Sequence, residues 1–228
     1  MKRGTVILDV DGTLVDSNDA HAHAWVDAFA EAGVTVPFDA VRRSIGMGGD
    51  KLMPAVSGIA EDSKRGKRIS ARRGEIFKER YLPGVLAFPG ARELVSRLRE
   101  DGFRLAVASS AKEDELGPLL DRAGVADLIE RATSSDDAEG SKPEPDVVEA
   151  ALAKSGASAQ GALMLGDTPY DIEAARAAGV AVVALECGGW AARDLEGALA
   201  VYRDPADLLA HYDESPFARM RDGDHVSA

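Results

Sequence analysis

The sequence predicts an α/β fold, a Rossmann-like parallel sheet core with an inserted all-helical cap domain, and three observations carry that expectation. Short apolar runs recur at Thr5 to Leu8, Leu105 to Ala108, Ala162 to Leu165 and Val180 to Leu185, bounded by turn residues and interleaved with helical patterns. These runs are continuous in polarity, as strands buried on both faces of a parallel sheet are. The segment from about Ser17 to Ala87 breaks the rhythm, because it offers helical periodicity and no convincing strand.

In chain order, the first strand is Thr5 to Leu8. The insert, residues 17–87, carries helical patterns at Ala20 to Ala32, Asp50 to Val56 and Asp62 to Tyr81. Asp16-Ser17-Asn18-Asp19 punctuates its near end, and Pro83, Gly84, Pro89 and Gly90 its far end, so both boundaries read as hinges. Trp25 and Phe29 stand four apart and are expected to meet in the core of the insert. Residues 1–16 and 88–212 make up the α/β core. Its helices are expected at Ala91 to Glu100, Glu113 to Ala123, Asp146 to Lys154 and Asp171 to Ala178, with Gly102, Gly124, Gly156 and Gly179 at the stop positions. Beyond Tyr212, Arg219, Arg221, Asp222, Gly223 and Asp224 break the apolar periodicity, and 213–228 is expected to be a mobile tail.

Composition narrows the function. A chain of 228 residues with 45% apolar content can bury a sizeable core. Its formal charge of -12 argues against nucleic acid or an anionic membrane surface as the main partner, since both call for a basic footprint. Any anionic substrate must then be captured by local groups. A single cysteine, Cys187, makes no intrachain disulfide and no zinc spacing, which fits a reducing cytoplasm. Lys2-Arg3 runs at once into Thr5-Val6-Ile7-Leu8 and then Asp9, too short and too soon acidic for a signal peptide, and no stretch approaches a membrane span.

The residues with chemical capability stand at the ends of the predicted strands, where open α/β sheets place their ligands. Asp9-Val10-Asp11-Gly12-Thr13 offers two carboxylates two positions apart. Asp9 is suited to act as nucleophile and Mg²⁺ ligand, and Asp11 as the acid that protonates a leaving oxygen. Gly12 permits a tight turn and Thr13 can position its neighbour, although an Asp-Gly turn alone would explain the dipeptide equally well. Ser109 comes after the second strand and can bond a phosphoryl oxygen or simply cap the next helix. Lys142, in Ser141-Lys142-Pro143-Glu144-Pro145-Asp146, is a lysine in a proline-stiffened loop, able to neutralise a nucleophile and a transferring phosphoryl group. In Gly166-Asp167-Thr168-Pro169-Tyr170-Asp171, Asp167 can join Asp9 in an oxygen-rich magnesium shell, while Asp171 at a helix start also has a capping explanation.

Taken in order, DVDGT, the strand before Ser109, SKPEPD and GDTPYD resemble the haloacid dehalogenase-like hydrolase superfamily over nearly the whole chain. The resemblance implies Asp9 as nucleophile, Asp11 as general acid/base, Ser109 and Lys142 as phosphate and charge stabilisers, and Asp167 with Asp171 as metal-side acids. It also implies a Mg²⁺ cofactor, ligated in part through the Asp11 backbone carbonyl. The insert is similar to the helical cap of phosphoglycolate phosphatases, β-phosphoglucomutases and related sugar-phosphatases, which places substrate choice in the cap. A small phosphorylated metabolite is the expected partner: phosphoglycolate, a sugar phosphate or a nucleotide. The protein is expected to act as a monomer or homodimer.

The resemblance also weighs its own branches. Dehalogenating members lack an acid two positions after the nucleophile, so carbon–halogen hydrolysis is disfavoured. His21 lies where the mutases carry a histidine that assists the acid/base aspartate, whereas Gly49 stands where a mutase places a phosphate-binding arginine. His21, Gly48, Gly49 and Lys51 are read as substrate-facing cap residues, and the missing arginine at Gly49 favours a phosphatase. Lys64, Arg65, Lys67, Arg68, Arg72 and Arg73 read as a solvated helical face. A receiver-type phosphate store would have no helical lid, and a retired binding protein would have lost one of the chemical groups.

Overall fold

The computed structural model describes residues 4–138 and 140–223. Among them six strands form one parallel sheet: β1 (Thr5–Leu8), β2 (Arg104–Ala108), β3 (Arg131–Thr133), β4 (Ala162–Gly166), β5 (Ala181–Leu185) and β6 (Ala200–Tyr202), in the order β3-β2-β1-β4-β5-β6. Leu8 pairs with Val107 on one side and Leu165 on the other, so β1 is central. Val6 and Leu8 pack into one apolar layer and Ile7 into the layer on the opposite face. That two-sided burial is why the strand lacks a polar alternation. The two edge strands, β3 and β6, were not expected. Each has three residues; Arg131 and Ala132 of β3 are exposed, so it forms no apolar run, and β6 (Ala-Val-Tyr) is only half-buried and short.

The insert contributes α1 (Asn18–Glu31), α2 (Phe38–Ser44), α3 (Gly49–Ser57) and α4 (Lys64–Ile76), and α4 continues through a wider helical turn over Phe77–Tyr81. The seven-residue α2 is too short to declare a 3.6-residue period. Trp25 and Phe29 stack with centroids 5.7 Å apart, both buried. The chain leaves the sheet and returns beside itself: Asp16 N–H donates to Leu86 O and Phe88 N–H to Leu14 O, both at 2.9 Å.

After the insert come α5 (Ala91–Glu100), α6 (Glu113–Ala123), α7 (Asp146–Ser155) and α8 (Pro169–Ala177), with Gly124 and Gly156 in the left-handed conformation that ends α6 and α7. α9 (Pro205–Ala210) falls within the expected core, and the expected mobile tail is corrected by α10 (Pro216–Asp222). The Ser215 side chain caps α10 by accepting from Ala218 N–H, and Phe217 and Ala218 are buried in the main core. Arg219 and Asp222 are exposed on this short helix, and Arg221 pairs with Asp101 at 3.3 Å. Residues 224–228 of the expected tail lie outside the described residues. No helix among the described residues is long and apolar enough to cross a membrane.

Candidate active site

Strand order reverses between β1 and β4, and the first residue beyond each carries a carboxylate. Asp9 follows β1 and Asp167 follows β4, at the crevice where a doubly wound sheet leaves room for a ligand. The insert roofs this crevice. Asp9, Asp11, His21, Trp25, Arg73 and Ser110 all line one narrow cleft, partly open to solvent.

Lys142 organises the floor. Its Nζ lies 2.6 Å from Asp9 Oδ1 and 2.7 Å from Asp171 Oδ1, and the lysine side chain is almost fully buried. Asp171 uses its other oxygen, Oδ2, to accept from Asp167 N–H, Thr168 N–H and the Thr168 hydroxyl, completing a capping box at the start of α8. Both Asp171 oxygens are thereby engaged, and the residue serves as an anchor for Lys142. The Thr13 hydroxyl lies 3.0 Å from Asp9 Oδ2 and 2.7 Å from Asp167 Oδ1, tying the two strand-end acids together.

Burial pushes the Asp9 carboxyl up to about 7, with Asp171 adding to the rise and Lys142 opposing it. Asp167 is raised well above the usual carboxylate range by burial, then by repulsion from Asp9 and Asp171. Asp11 behaves differently. Burial would raise it too, yet the His21 imidazole and the Ser17 hydroxyl outweigh that and hold it below the usual range. His21 Nε2 lies 2.8 Å and Ser17 Oγ 2.5 Å from Asp11 Oδ1. An ionised carboxylate only accepts, so Nε2 carries the proton in this arrangement. The His21 ring is stacked on Phe77, 3.9 Å between centroids, which fixes its plane.

Gly12 shows why the turn needs glycine. It sits at φ +81°, and a Cβ there would fall 2.1 Å from Asn18 Nδ2 and 2.3 Å from Asp167 Oδ2. Gly188, on the loop after β5, comes closer still, since its Cβ would lie 1.6 Å from Asp167 Oδ2. The backbone thus walls Asp167 on two sides.

Asp9, Asp11, Gly12, Thr13, Lys142, Asp167 and Asp171 are brought together here. Ser109 is buried and its Oγ accepts from Ala111 N–H at 3.0 Å, while Ser110 lines the cleft. Gly48 and Gly49 line a second pocket, which shares Trp25, Arg73 and Ser110 with the cleft. Lys51 lines neither part, because its ammonium pairs with Glu144 Oε1 at 2.5 Å. Arg73 departs from the expected solvated face. It bonds both oxygens of the buried Glu115, at 2.8 and 2.6 Å, and lies 5.0 Å over the Trp25 ring. No local pattern separates it from Arg72, which pairs with Glu31 and Glu75 on the outside. Asn18, read as part of a hinge, donates to Asp167 Oδ2 at 3.2 Å and to Gly188 O at 3.1 Å.

The donor set suits a hard divalent cation. Asp9, Asp167 and Asp171 each place a carboxylate oxygen within 4.8 Å of the others, all buried, with one lysine to offset three potential negative charges. Burial raises the Asp9 and Asp167 carboxyls, and repulsion among these acids adds to the rise. All-oxygen donors of this kind match a magnesium-like ion. With Asp171 committed to Lys142 and to its cap, Asp9 and Asp167 are the side chains left to hold it.

Comparisons with known proteins give the family. Residues 6–185 match the family model described as haloacid dehalogenase-like hydrolase. A phosphoglycolate phosphatase of Rhodospirillum rubrum is 35% identical over 89% of this chain and 88% of its own. The crystal structure of a hydrolase from Pseudomonas syringae superposes with a TM-score of 0.86, is 32% identical, and covers 92% of this chain and 98% of its own. CbbY from Rhodobacter sphaeroides, solved in complex with phosphate, shares the fold at a TM-score of 0.73 and 21% identity, covering 91% of this chain and 96% of its own. The chain belongs to the haloacid dehalogenase-like hydrolases and is a hydrolase of their phosphatase branch.

Proposed function

We propose that this protein is a Mg²⁺-dependent phosphatase that hydrolyses a small phosphate monoester through an aspartyl-phosphate on Asp9. The observation that carries the reading is the convergence on one cleft of Asp9, held by Lys142, and Asp11, held by His21 and Ser17. In the first step, for which Asp11 must first take up a proton, an Asp9 carboxylate oxygen attacks phosphorus, the ester P–O bond breaks, and Asp11 passes that proton to the leaving oxygen. In the second, Asp11 removes a proton from a water that attacks phosphorus, and the Asp9–phosphorus bond breaks to release inorganic phosphate. Lys142 offsets negative charge on Asp9 and on the transferring group. A bound Mg²⁺, held by Asp9, Asp167 and the Asp11 backbone carbonyl, would supply further charge neutralisation.

Residues 17–87 act in this reading as a cap whose closure excludes water, over a core of 1–16 and 88–212. The substrate is phosphoglycolate, a sugar phosphate or a nucleotide. Arg73, Trp25 and Ser110 stand where its distal end would lie. A cytoplasmic location fits the single cysteine and the metabolite substrate.

The 2.8 Å His21–Asp11 contact also favours a mutase of the β-phosphoglucomutase kind, which would isomerise a sugar phosphate without net phosphate release. Gly49, packed with its α-carbon toward the Trp25 ring, supplies no cation for that task. The deciding experiment is phosphate release from p-nitrophenyl phosphate and a panel of small phosphate esters, with and without Mg²⁺, for native protein and Asp9→Asn. Magnesium-dependent release lost in Asp9→Asn supports the reading. Full activity in Asp9→Asn rejects the nucleophile, and isomerisation without release selects the mutase.

A further inference from the structure

We propose that Asn18 is a positioning residue for the divalent-cation site, setting the orientation of Asp167 and with it the affinity for the ion; this rests on the cation site of the reading above. Asn18 is the first residue of α1 and is 1% exposed. Its amide nitrogen donates to Asp167 Oδ2 and to Gly188 O, two acceptors that fix which end of the carboxamide faces them. The opposite oxygen of Asp167 is taken by the Thr13 hydroxyl at 2.7 Å. Asp167 is therefore gripped at both oxygens by neutral donors, with the bare backbone of Gly12 and Gly188 closing in on Oδ2. Donors to a ligating carboxylate hold its orientation and tune the metal, and their loss typically lowers affinity about 10- to 100-fold.

A second observation points the same way. Asn18 Oδ1 is buried and has no hydrogen-bond partner among the described residues. An unpaired buried acceptor is costly and uncommon in a folded protein. Mg²⁺ usually keeps several of its waters, so its hydration shell would bring donors to this part of the site. The neighbours of Asn18 in sequence share its work, since Ser17 and His21 hold Asp11. Asp19 pairs with Arg42 Nε at 2.5 Å, and Arg42 Nη2 donates to the same Gly188 oxygen at 2.7 Å. The opening of α1 thus joins the acid/base residue, the cation site and α2 of the roof within five residues.

The test is calorimetric titration of Mg²⁺ alone into native protein, Asn18→Ala and Asn18→Ser, the serine keeping a good helix-start residue in case alanine fails to fold. Thermal midpoints in chelator and steady-state turnover of p-nitrophenyl phosphate across Mg²⁺ concentrations complete the set. The expected result is a Mg²⁺ dissociation constant weakened about 10-fold or more. Turnover is expected to recover toward the native kcat at high Mg²⁺, with KM for the ester little changed. A dissociation constant within twofold of native in a folded variant overturns the proposal while leaving the phosphatase reading intact. Absence of Mg²⁺ binding in the native protein overturns both.

Discussion

Arg73 on α4 reaches across the roof of the cleft to grip both oxygens of Glu115 on α6, a residue that is only 1% exposed. This ion pair joins the helical insert to the α/β core, and its arginine also lines the cleft that holds Asp9 and Asp11. Breaking a buried pair by removing one partner leaves the other charge uncompensated, at a cost of about 3–5 kcal/mol. Arg73→Ala is therefore expected to lower the thermal midpoint markedly, and the double variant Arg73→Ala/Glu115→Gln to recover much of that loss. In turnover, Arg73→Ala should raise KM for phosphate esters more than it lowers kcat. Recovery of stability without recovery of KM would separate the structural and substrate-facing roles; a native midpoint in Arg73→Ala would show the pair to be energetically idle.

Lys142→Ala removes the cation shared by Asp9 and Asp171. Burial disfavours its ammonium, but Asp171 and then Asp9 more than compensate and hold it charged well above its ordinary range. Turnover is expected to fall by about 100-fold or more, the scale of losing one preorganised charge contact in a transition state. Lys142→Arg should not rescue, because a planar guanidinium cannot occupy the point between two carboxylates that the ammonium fills. Steady-state kinetics of the two variants at saturating Mg²⁺ checks both expectations.

Stability without a cation should fall as pH rises from about 4 through 7. The Asp9 carboxyl ordinarily ionises near 3.8 and is pushed up to about 7 by burial in the fold. Between those values the unfolded chain has released the proton while the native state retains it. Native protein then binds more protons than unfolded, and the unfolding free energy declines with pH, by roughly 4 kcal/mol at most for this group. Asp167, raised in the same direction, extends the decline. Asp11 is lowered, so its contribution is present above its ordinary range and is lost only in more acidic solution. Melting curves in chelator at pH 5 and pH 8 test the sign, and added Mg²⁺ should raise the midpoint more at pH 8. A midpoint that climbs between pH 5 and pH 8 without metal would contradict it.

Asp167→Asn should trade function for stability. It removes one of the crowded buried charges; its single amide oxygen can still accept from Asn18, while its amide NH2 can donate to the Thr13 hydroxyl, which then turns acceptor. The metal-free protein is expected to melt higher than native at pH 8, and Mg²⁺ is expected to bind far more weakly, with turnover lost in parallel. Differential scanning fluorimetry with and without Mg²⁺ reads both effects.

What is legible in the sequence divides along a physical line. Asp9, Asp11, Lys142 and Asp167 announce themselves because strand ends and stiff loops are local features with a local signature. The central strands do the same, since two-sided burial writes a continuous apolar run such as Thr5 to Leu8. Arg73 is silent because its role depends on Glu115, 42 positions away, and its neighbours on α4 are ordinary surface cations. Asn18 looks like a turn residue, and only the approach of Asp167 and Gly188 shows otherwise. The α10 helix is hidden by its brevity: one buried phenylalanine among charged residues carries no period.

Gly188→Ala offers the most local probe of the cation site, because it adds one methyl group and removes no polar contact. Gly188 does not require a positive φ, so backbone strain is not at issue there. Space is: the added Cβ would fall 1.6 Å from Asp167 Oδ2 and 2.7 Å from Asp167 Cβ. Atoms that close cannot coexist, so either the Asp167 carboxylate rotates away or the loop after β5 withdraws. Both outcomes disturb the grip of Asn18, whose nitrogen bonds Asp167 Oδ2 and Gly188 O together. Gly189→Ala provides the contrast, because its Cβ would meet the end of the flexible Arg42 side chain, although its φ of +96° adds strain of a different kind. Gly188→Ala is expected to weaken Mg²⁺ binding at least about 10-fold, and Gly189→Ala to cost stability while leaving Mg²⁺ affinity near native. Calorimetry on both variants decides it: native Mg²⁺ affinity in Gly188→Ala would mean that Asp167 does not set the cation site.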